Sequence, residues 1–124
     1  MAKLGRRLRE GLDDRASDAW HARAMGWLGR FDLALMPVLA QTAAPVGRWD
    51  GQGWLRTSLG VTGWMAFTPP WNLARLPAAS VPTGLGQDGL PTAAQLVGRR
   101  GSERLLLAVA AELEARRPWQ RLAP

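Results

Sequence analysis

The sequence predicts an α/β protein, built as one compact unit from short strands with flanking helices. The chain has 124 residues, which is close to the commonest size of a single domain. Hydrophobic residues make up 47% and charged residues 21%, so the chain can form an apolar core. Segments with helical spacing alternate with short apolar runs in the order helix, strand, helix, strand, strand, helix.

The first helix and the first strand are predicted in the N-terminal third. From Asp13 to Gly29 the apolar residues recur at spacings of three and four, which is typical of an amphipathic helix. Phe31 to Val38 is a short, nearly continuous apolar run that contains a proline. Such a run favours a buried strand covered on both faces. Residues 39–53 mix Pro, Gly and Asp without a sustained period and are predicted to form a loop.

A second helix is predicted from Trp54 to Met65. Gly60 and Gly63 weaken it, because each costs about 1 kcal/mol relative to alanine inside a helix. The next segment, Phe67 to Asn72, contains two adjacent prolines, which lack N–H donors and restrict the residue before them. We therefore expect a rigid loop there, without regular secondary structure.

Two further strands are predicted from Pro77 to Thr83 and from Thr92 to Gly98. The connecting residues include the pair Asp88-Gly89, in which the glycine tolerates positive φ, so the strands should form a hairpin. The glycines in residues 84–89 also suggest a phosphate-binding loop. No lysine follows them and no helix begins there, so a turn between strands is the better interpretation.

The last helix is predicted from Ser102 to Arg117. Ser102 is the expected N-cap and Pro118 the expected stop. Apolar residues stand on one face of this helix, at positions 105, 106, 109, 110 and 113.

The positive charge of the chain raises the question of nucleic-acid binding. The net charge is +6 and the isoelectric point is about 11.6. Fifteen of the sixteen basic residues are arginines, and they are scattered along the chain rather than concentrated in one stripe. This pattern favours a solvated surface, and no nucleic-acid partner is expected.

The absence of cysteine excludes disulfides and thiolate metal sites, and it permits a reducing compartment. No stretch approaches the roughly 18 apolar residues that a membrane-spanning helix needs, and no apolar run follows the basic N-terminus. We therefore expect a cytoplasmic protein without a membrane partner.

Groups that could carry catalysis are few. Ser17 and His21 stand four residues apart on the first predicted helix, and His21 is the only histidine. We expect neighbours on a helix face rather than a catalytic dyad, because no strained turn or oxyanion cradle accompanies them. The acids Asp13, Asp14 and Asp18 are interpreted as first-turn residues that complement the helix dipole. Neither a metal nor a cofactor is expected.

The aromatic residues leave two interpretations open. The chain has seven tryptophans and no tyrosine, and four of them, Trp49, Trp54, Trp64 and Trp71, lie near Phe67 in the sequence. They either form the wall of an apolar pocket or are core residues with satisfied indole donors, and the second interpretation is the simpler one.

A known family is suggested by residues 67–84, FTPPWNLARLPAASVPTG, and residues 88–98, DGLPTAAQLVG. An asparagine before Leu-Pro-Ala and Ser-Val-Pro-x-Gly, followed by Gly-Leu-Pro and Gln-Leu-Val-Gly, resembles the C-terminal end of the amidase signature enzymes. The strand at residues 31–37 and the helix before it are also similar to the family, so the resemblance spans nearly the whole chain.

The resemblance implies that the chain is a C-terminal fragment of the amidase signature α/β/α fold, in which helices flank a mixed sheet. The family hydrolyses amide bonds with a serine nucleophile, a second serine in a cis peptide, and a lysine. Those residues belong to its N-terminal part, and the only lysine here, Lys3, matches no such motif. No catalytic residue is therefore carried over. The residues expected to contribute to the acyl-side pocket wall are Trp64, Phe67, Trp71 and Asn72.

Two departures from the family pattern stand out. Ala74-Arg75 replaces the more usual Thr-Gly or Ala-Gly, and Thr92-Ala93-Ala94 replaces a more branched apolar set. If the tight turn at Arg75 requires positive φ, the side chain there costs about 1 kcal/mol or more.

Three functional hypotheses follow. The first is an amidase fragment that is inactive alone and acts on an amide substrate only when an N-terminal amidase part completes it. Its origin would be a gene fragment, a mis-called start or one half of a split enzyme. The second is a non-catalytic module whose exposed strands pair with a partner or with a second copy. The third, less favoured, is a basic nucleic-acid binder.

Overall fold

The computed structural model describes residues 2–119, and the side chains from residue 14 onwards. These residues form four helices and three strands. In chain order they are α1 (Ala2–Leu28), β1 (Leu33–Pro37), α2 (Trp54–Trp64), α3 (Pro69–Leu73), β2 (Ala78–Leu85), β3 (Pro91–Gly98) and α4 (Glu103–Arg116). The α/β class predicted from the sequence is confirmed.

The strands form one sheet in the order β1-β3-β2, and both pairings are antiparallel. Leu96 in the central strand pairs with Leu35 on one side and with Ala79 on the other. The predicted hairpin between β2 and β3 is confirmed. Residues 86–90 form its turn, with Gly89 at φ 75°, and β2 extends to Leu85, two residues beyond its predicted end.

Helices cover the two faces of the sheet, and the core therefore has two parts. On the first face, α1 and the segment around α3 pack against residues of β1 and β3. The buried residues of this first cluster are Ala24, Leu28, Ala34, Ala74, Leu76 and Val97. On the second face, α4 contributes Leu106, which packs with Val81 and Leu96. This three-layer arrangement follows from the alternation of side chains along β3, because Val97 and Leu96 point to opposite faces.

Strand β1 differs from its prediction. It is an edge strand whose burial alternates: Ala34 is 3% exposed, whereas Leu35 is 64% exposed. The expectation of coverage on both faces is wrong for the described residues. α4 packs mainly against β2 and β3, so Leu35 on the second face of β1 stays exposed. β1 has a neighbouring strand on one side only, and Pro37 lies at its end, in keeping with the preference of proline for edge positions.

The segment Phe67 to Asn72 is also not the irregular loop that its prolines predicted. Pro69 and Pro70 occupy the first two positions of the short helix α3. The prediction fails because the first N–H groups of a helix have no partner within the helix, and the fixed φ of proline already suits it.

The remaining helices agree with the sequence apart from their ends. α2 and α4 lie within one residue of their predicted bounds, and the loop at residues 39–53 contains no helix or strand. α1 starts at Ala2, well before the predicted Asp13. Ser102 stands at the N-cap position of α4, but its hydroxyl donates to the carbonyl of Arg99 at 2.6 Å rather than capping the helix.

Candidate functional site

The four residues predicted to form a pocket wall lie on α3 and on the turn and helix before it. Trp64 ends α2, Phe67 lies in the connecting turn, and Trp71 and Asn72 belong to α3. The two tryptophans among them lie in different surroundings. Trp71 joins the first core cluster, whereas Trp64 packs against the loop at residues 39–53.

Trp71 is held by α1 and β1. Its ring centroid lies 5.9 Å from that of Trp20, and its indole N–H points at the sulfur of Met36, with 2.8 Å between nitrogen and sulfur. Sulfur contacts of this kind and tilted aromatic pairs both favour a well-packed core. The sequence pattern predicted only that Trp20 lies on the apolar face of the first helix, and not that it contacts Trp71.

Trp64 belongs to a second aromatic group. Its ring makes a T-shaped contact with Trp49 at 5.7 Å, and the guanidinium of Arg48 lies over it at 4.7 Å. Its indole N–H donates to the carbonyl of Thr42 at 2.9 Å. Trp54 takes part in neither group and is 80% exposed. The indole N–H groups of Trp64 and Trp71 thus both have acceptors, but of the two only Trp71 packs against a described core cluster.

Phe67 and Asn72 are the more accessible members of the predicted wall. Phe67 is 36% exposed, and its carbonyl accepts a hydrogen bond from the amide of Gln95, which is only 6% exposed. Asn72 is exposed, and its side chain makes no hydrogen bond to another described residue. Phe67 and Asn72 are thus the two members of the predicted wall whose side chains are exposed.

Three side chains of α1 hold α3 in place, and we call them the α1 clasp: Ser17, Trp20 and His21. The hydroxyl of Ser17 donates to the carbonyl of Leu73, and the indole of Trp20 donates to that of Pro70. Nδ1 of His21 lies 2.7 Å from the carbonyl oxygen of Ala74. The last carbonyls of a helix lack partners within it, so the clasp provides donors for those of Leu73 and Ala74. The carbonyl of Pro70 also accepts the N–H of Ala74 at 3.0 Å.

The clasp explains the spacing of Ser17 and His21. Since a carbonyl oxygen only accepts, Nδ1 of His21 must carry a proton. The hydroxyl of Ser17 is committed to Leu73, and no described serine hydroxyl bonds to the imidazole. The expectation of structural neighbours rather than a catalytic dyad agrees with this geometry.

The turn after α3 contains Arg75 at φ 55°, the only described residue other than glycine with positive φ. The N–H of Leu76 donates back to the carbonyl of Trp71 at 3.2 Å, which is the pattern of a left-handed helix end. Glycine is preferred at such positions because a Cβ there costs about 1 to 2 kcal/mol. The predicted strain at Arg75 is therefore present.

The acids of α1 are placed differently from the prediction. Because α1 begins at Ala2, Asp14 and Asp18 lie in its interior and not in a first turn. Asp14 pairs with the guanidinium of Arg75 at 3.3 Å, and both side chains are more than half exposed. Within residues 14–119, no cluster of three or more histidine or acidic side chains is arranged to hold a metal ion.

In the hairpin turn, Asp88 is the group whose titration the structure perturbs. The side chain of Thr42 and the N–H of Leu90, which donates to Asp88 at 3.1 Å, lower the pKa of this carboxyl. Asp88 thereby ties the loop at residues 39–53 to the turn between β2 and β3. The Asp88 carboxylate therefore has a structural role as a hydrogen-bond acceptor in the turn.

A groove that the sequence did not predict lies on the other face of the sheet. Its volume is about 660 Å³, and it is bounded by Leu35 of β1, by β2 and the start of β3, and by the end of α4 with the residues after it. None of the four predicted wall residues lines it. No periodic pattern in the sequence pointed to it, because its walls come from four separate segments.

No helix in the part of the chain that the structure describes is long and apolar enough to cross a membrane.

Comparison with known proteins identifies the family. A family model described as Amidase matches residues 5–107. AmiC of Mycobacterium tuberculosis, which is provisionally named an amidase, is 34% identical over 100 residues, covering 81% of this chain and 21% of AmiC. The 6-aminohexanoate-cyclic-dimer hydrolase of Paenarthrobacter ureafaciens is 36% identical over 102 residues, covering 75% of this chain and 20% of the hydrolase.

A solved structure agrees with these relatives. The structure of a 6-aminohexanoate cyclic dimer hydrolase superimposes with a TM-score of 0.75 and 31% identity, covering 83% of this chain and 23% of that one. The chain therefore spans about a fifth of the length of the relatives it matches. Since the family model covers most of its residues, this chain belongs to the amidase family.

Proposed function

We propose that this chain supplies the C-terminal part of an amide-hydrolysing enzyme and that it does not hydrolyse amides by itself. The observation that carries the proposal is a family match over residues 5–107 in a chain that spans only about a fifth of its relatives. An N-terminal amidase part would complete the fold and bring the serine and lysine chemistry that the resemblance implies. The complete enzyme would act in the cytoplasm.

The available groups support inactivity of the chain alone. A serine hydrolase needs a nucleophile, a base within hydrogen-bond reach and donors for the oxyanion. The hydroxyls of Ser17 and Ser102 both donate to backbone carbonyls, at Leu73 and Arg99. Ser80 lies exposed on β2, where no oxyanion-binding turn accompanies it.

Within the complete enzyme, we assign the segment from Trp64 to Asn72 to the acyl-side wall of the substrate pocket. Phe67 and Asn72 would meet the substrate, because their side chains are the accessible ones. Trp71 would act beneath them by fixing α3 against α1 and β1. The relatives named for 6-aminohexanoate cyclic dimer make an uncharged cyclic amide a reasonable first substrate to test.

Activity assays test this proposal in two steps. The purified chain, offered 6-aminohexanoate cyclic dimer and a panel of simple aryl amides, should give no turnover above the uncatalysed rate. A chimera in which this chain replaces the matching C-terminal part of the Paenarthrobacter hydrolase should be active. Asn72→Ala in the chimera should raise KM, and Gln87→Ala, an exposed change in the hairpin turn, should not. Turnover by the chain alone would refute the proposal.

A second candidate function is a non-catalytic module that pairs its sheet with a partner, and the free edge of β1 favours it. The N–H of Val38 bonds to the carbonyl of Ala93, so alternate residues of β1 face β3. Leu33 and Leu35 then direct their N–H and C=O groups away from the sheet. Such an edge is a template for another strand.

Gel filtration tests whether this edge is used between two copies of the chain. We expect self-association that increases with concentration, and we expect Leu35→Lys to shift the chain toward monomer. Leu107→Lys is the matched control, because Leu107 is 67% exposed on α4, far from this edge in the sequence. A monomer at all concentrations would contradict pairing with a second copy, and equal effects of both changes would contradict a role of β1.

A further inference from the structure

The groove on the second face of the sheet has a defined chemical character. Apolar side chains form most of its wall, and Arg117 lies at one end. The main apolar contributors are Leu35, Val81, Leu85, Leu113 and Trp119. At about 660 Å³ the groove falls in the range of small-molecule sites, which are mostly apolar with a few placed polar groups.

Arg117 provides the polar group. One of its terminal nitrogens lies 3.9 Å from the position that a side chain at Gly84 would occupy, so the guanidinium lies over the bulge in β2. Within residues 14–119 the ion pairs are Arg75 with Asp14 and Arg116 with Glu112, so Arg117 has no carboxylate partner there. No acidic side chain lines the groove.

The threonine hydroxyls beside Arg117 already donate hydrogen bonds within the chain. Thr92 donates to the carbonyl of Gly84 at 3.1 Å, and Thr83 lies 2.8 Å from the Thr92 oxygen, to which it must then donate. Among the described side chains at this end of the groove, the guanidinium of Arg117 is therefore the donor without an acceptor. One guanidinium can donate two parallel hydrogen bonds to the two oxygens of a carboxylate, and the apolar wall beside it suits a ligand that carries a single charged group.

We propose that this groove binds a small monocarboxylate with an apolar tail. The carboxylate would take the two-pronged hydrogen bond of Arg117, and the tail would lie against Leu113, Val81 and the indole of Trp119. The proposal goes beyond the proposed amidase function, because the groove lies on the face of the sheet that carries the second core cluster, opposite the first cluster, against which Trp71 packs.

Calorimetric titration of the chain with octanoate, below the concentration at which octanoate forms micelles, tests the proposal. Arg117→Gln should weaken binding about tenfold, as the loss of a charge-assisted pair implies. Arg116→Gln is the matched control, since it removes the same charge one residue away from a guanidinium already bonded to Glu112. Arg117→Lys should retain part of the affinity and show that the loss does not come from misfolding.

Two further readouts locate the ligand. In ¹H–¹⁵N spectra, octanoate should shift the indole signal of Trp119 and leave that of Trp64 in place. Octan-1-ol, which has the tail without the charge, should bind at least tenfold more weakly. The proposal is overturned by the absence of octanoate binding, by equal losses in Arg116→Gln and Arg117→Gln, by octan-1-ol binding as tightly, or by an unmoved Trp119 signal.

Discussion

Nδ1 of His21 lies 2.7 Å from the carbonyl oxygen of Ala74, although the two residues are 53 positions apart in the sequence. Together with the bonds from Ser17 and Trp20, this contact attaches the middle of the chain to its first helix. The position of α3 therefore depends on side chains of α1, although the two helices are far apart in the sequence.

Removing the hydroxyl of Ser17 should destabilise the fold. Ser17 is 5% exposed, and its loss leaves the carbonyl of Leu73 without this partner in a half-buried place. We expect Ser17→Ala to lower the free energy of unfolding by about 1 to 2 kcal/mol, as measured by urea denaturation. Ser80→Ala, on the exposed side of β2, should change it by less than about 0.5 kcal/mol. Equal effects would contradict the clasp.

Backbone strain at Arg75 predicts that glycine is more stable than alanine at this position. At φ 55° a Cβ is unfavourable, so Arg75→Gly should be more stable than Arg75→Ala by about 1 kcal/mol. Both variants lack the guanidinium that meets Asp14, so their difference isolates the backbone. Urea denaturation of the two variants measures it.

Position 56 is the control, because the opposite order of glycine and alanine is expected there. Arg56 lies inside α2, where glycine should be about 1 kcal/mol less stable than alanine. If alanine is also the more stable residue at position 75, the turn does not hold the left-handed conformation in solution.

The local spacing of apolar residues predicted most of the helices and strands. The predictions failed where contacts with distant segments determine the local structure. The spacing of apolar residues predicted α2 and α4 nearly to the residue. The apolar run of β1 did not reveal that the strand has one neighbour, because the number of neighbours depends on the fold. The prolines of α3 were misinterpreted because the start of a helix tolerates what its interior does not.

The same distinction applies to the candidate site. The sequence placed Trp64 and Trp71 in one region, but their surroundings come from Arg48 and Thr42 in one case and from Trp20 and Met36 in the other. Those contacts join positions up to 51 residues apart, as with Trp20 and Trp71, and no local motif encodes them. The turn at Arg75 is the exception, because the family pattern alone predicted its strain.

The lowered pKa of Asp88 predicts a pH dependence of stability in acid. A carboxyl whose pKa is lower in the folded state contributes stability above its unfolded value of about 3.9, and this contribution is lost as the pH falls through the folded value. Asp88→Asn should therefore differ least from the parent chain at the lowest pH and most near neutrality. Urea denaturation at a series of pH values measures the difference.

Thr42→Val tests the cause of that shift. Thr42 contributes the largest lowering effect, so its removal should raise the pKa of Asp88, as followed by the NMR titration of the carboxyl carbon. An unchanged titration would show that the loop at residues 39–53 does not hold the hairpin turn in solution.

The packing of Trp71 predicts that its replacement lowers the stability of the fold much more than the replacement of Trp54, although the sequence pattern does not distinguish the two residues. Trp71 packs in the first core cluster, donates to Met36 and contacts Trp20, so Trp71→Ala should cost about 2 to 3 kcal/mol of unfolding free energy. Trp54 is 80% exposed, and Trp54→Ala should cost less than about 0.5 kcal/mol. Equilibrium denaturation followed by circular dichroism avoids the loss of fluorescence in each variant. A Trp71→Ala chain as stable as its parent would mean that the ring is held for a ligand and not for the core.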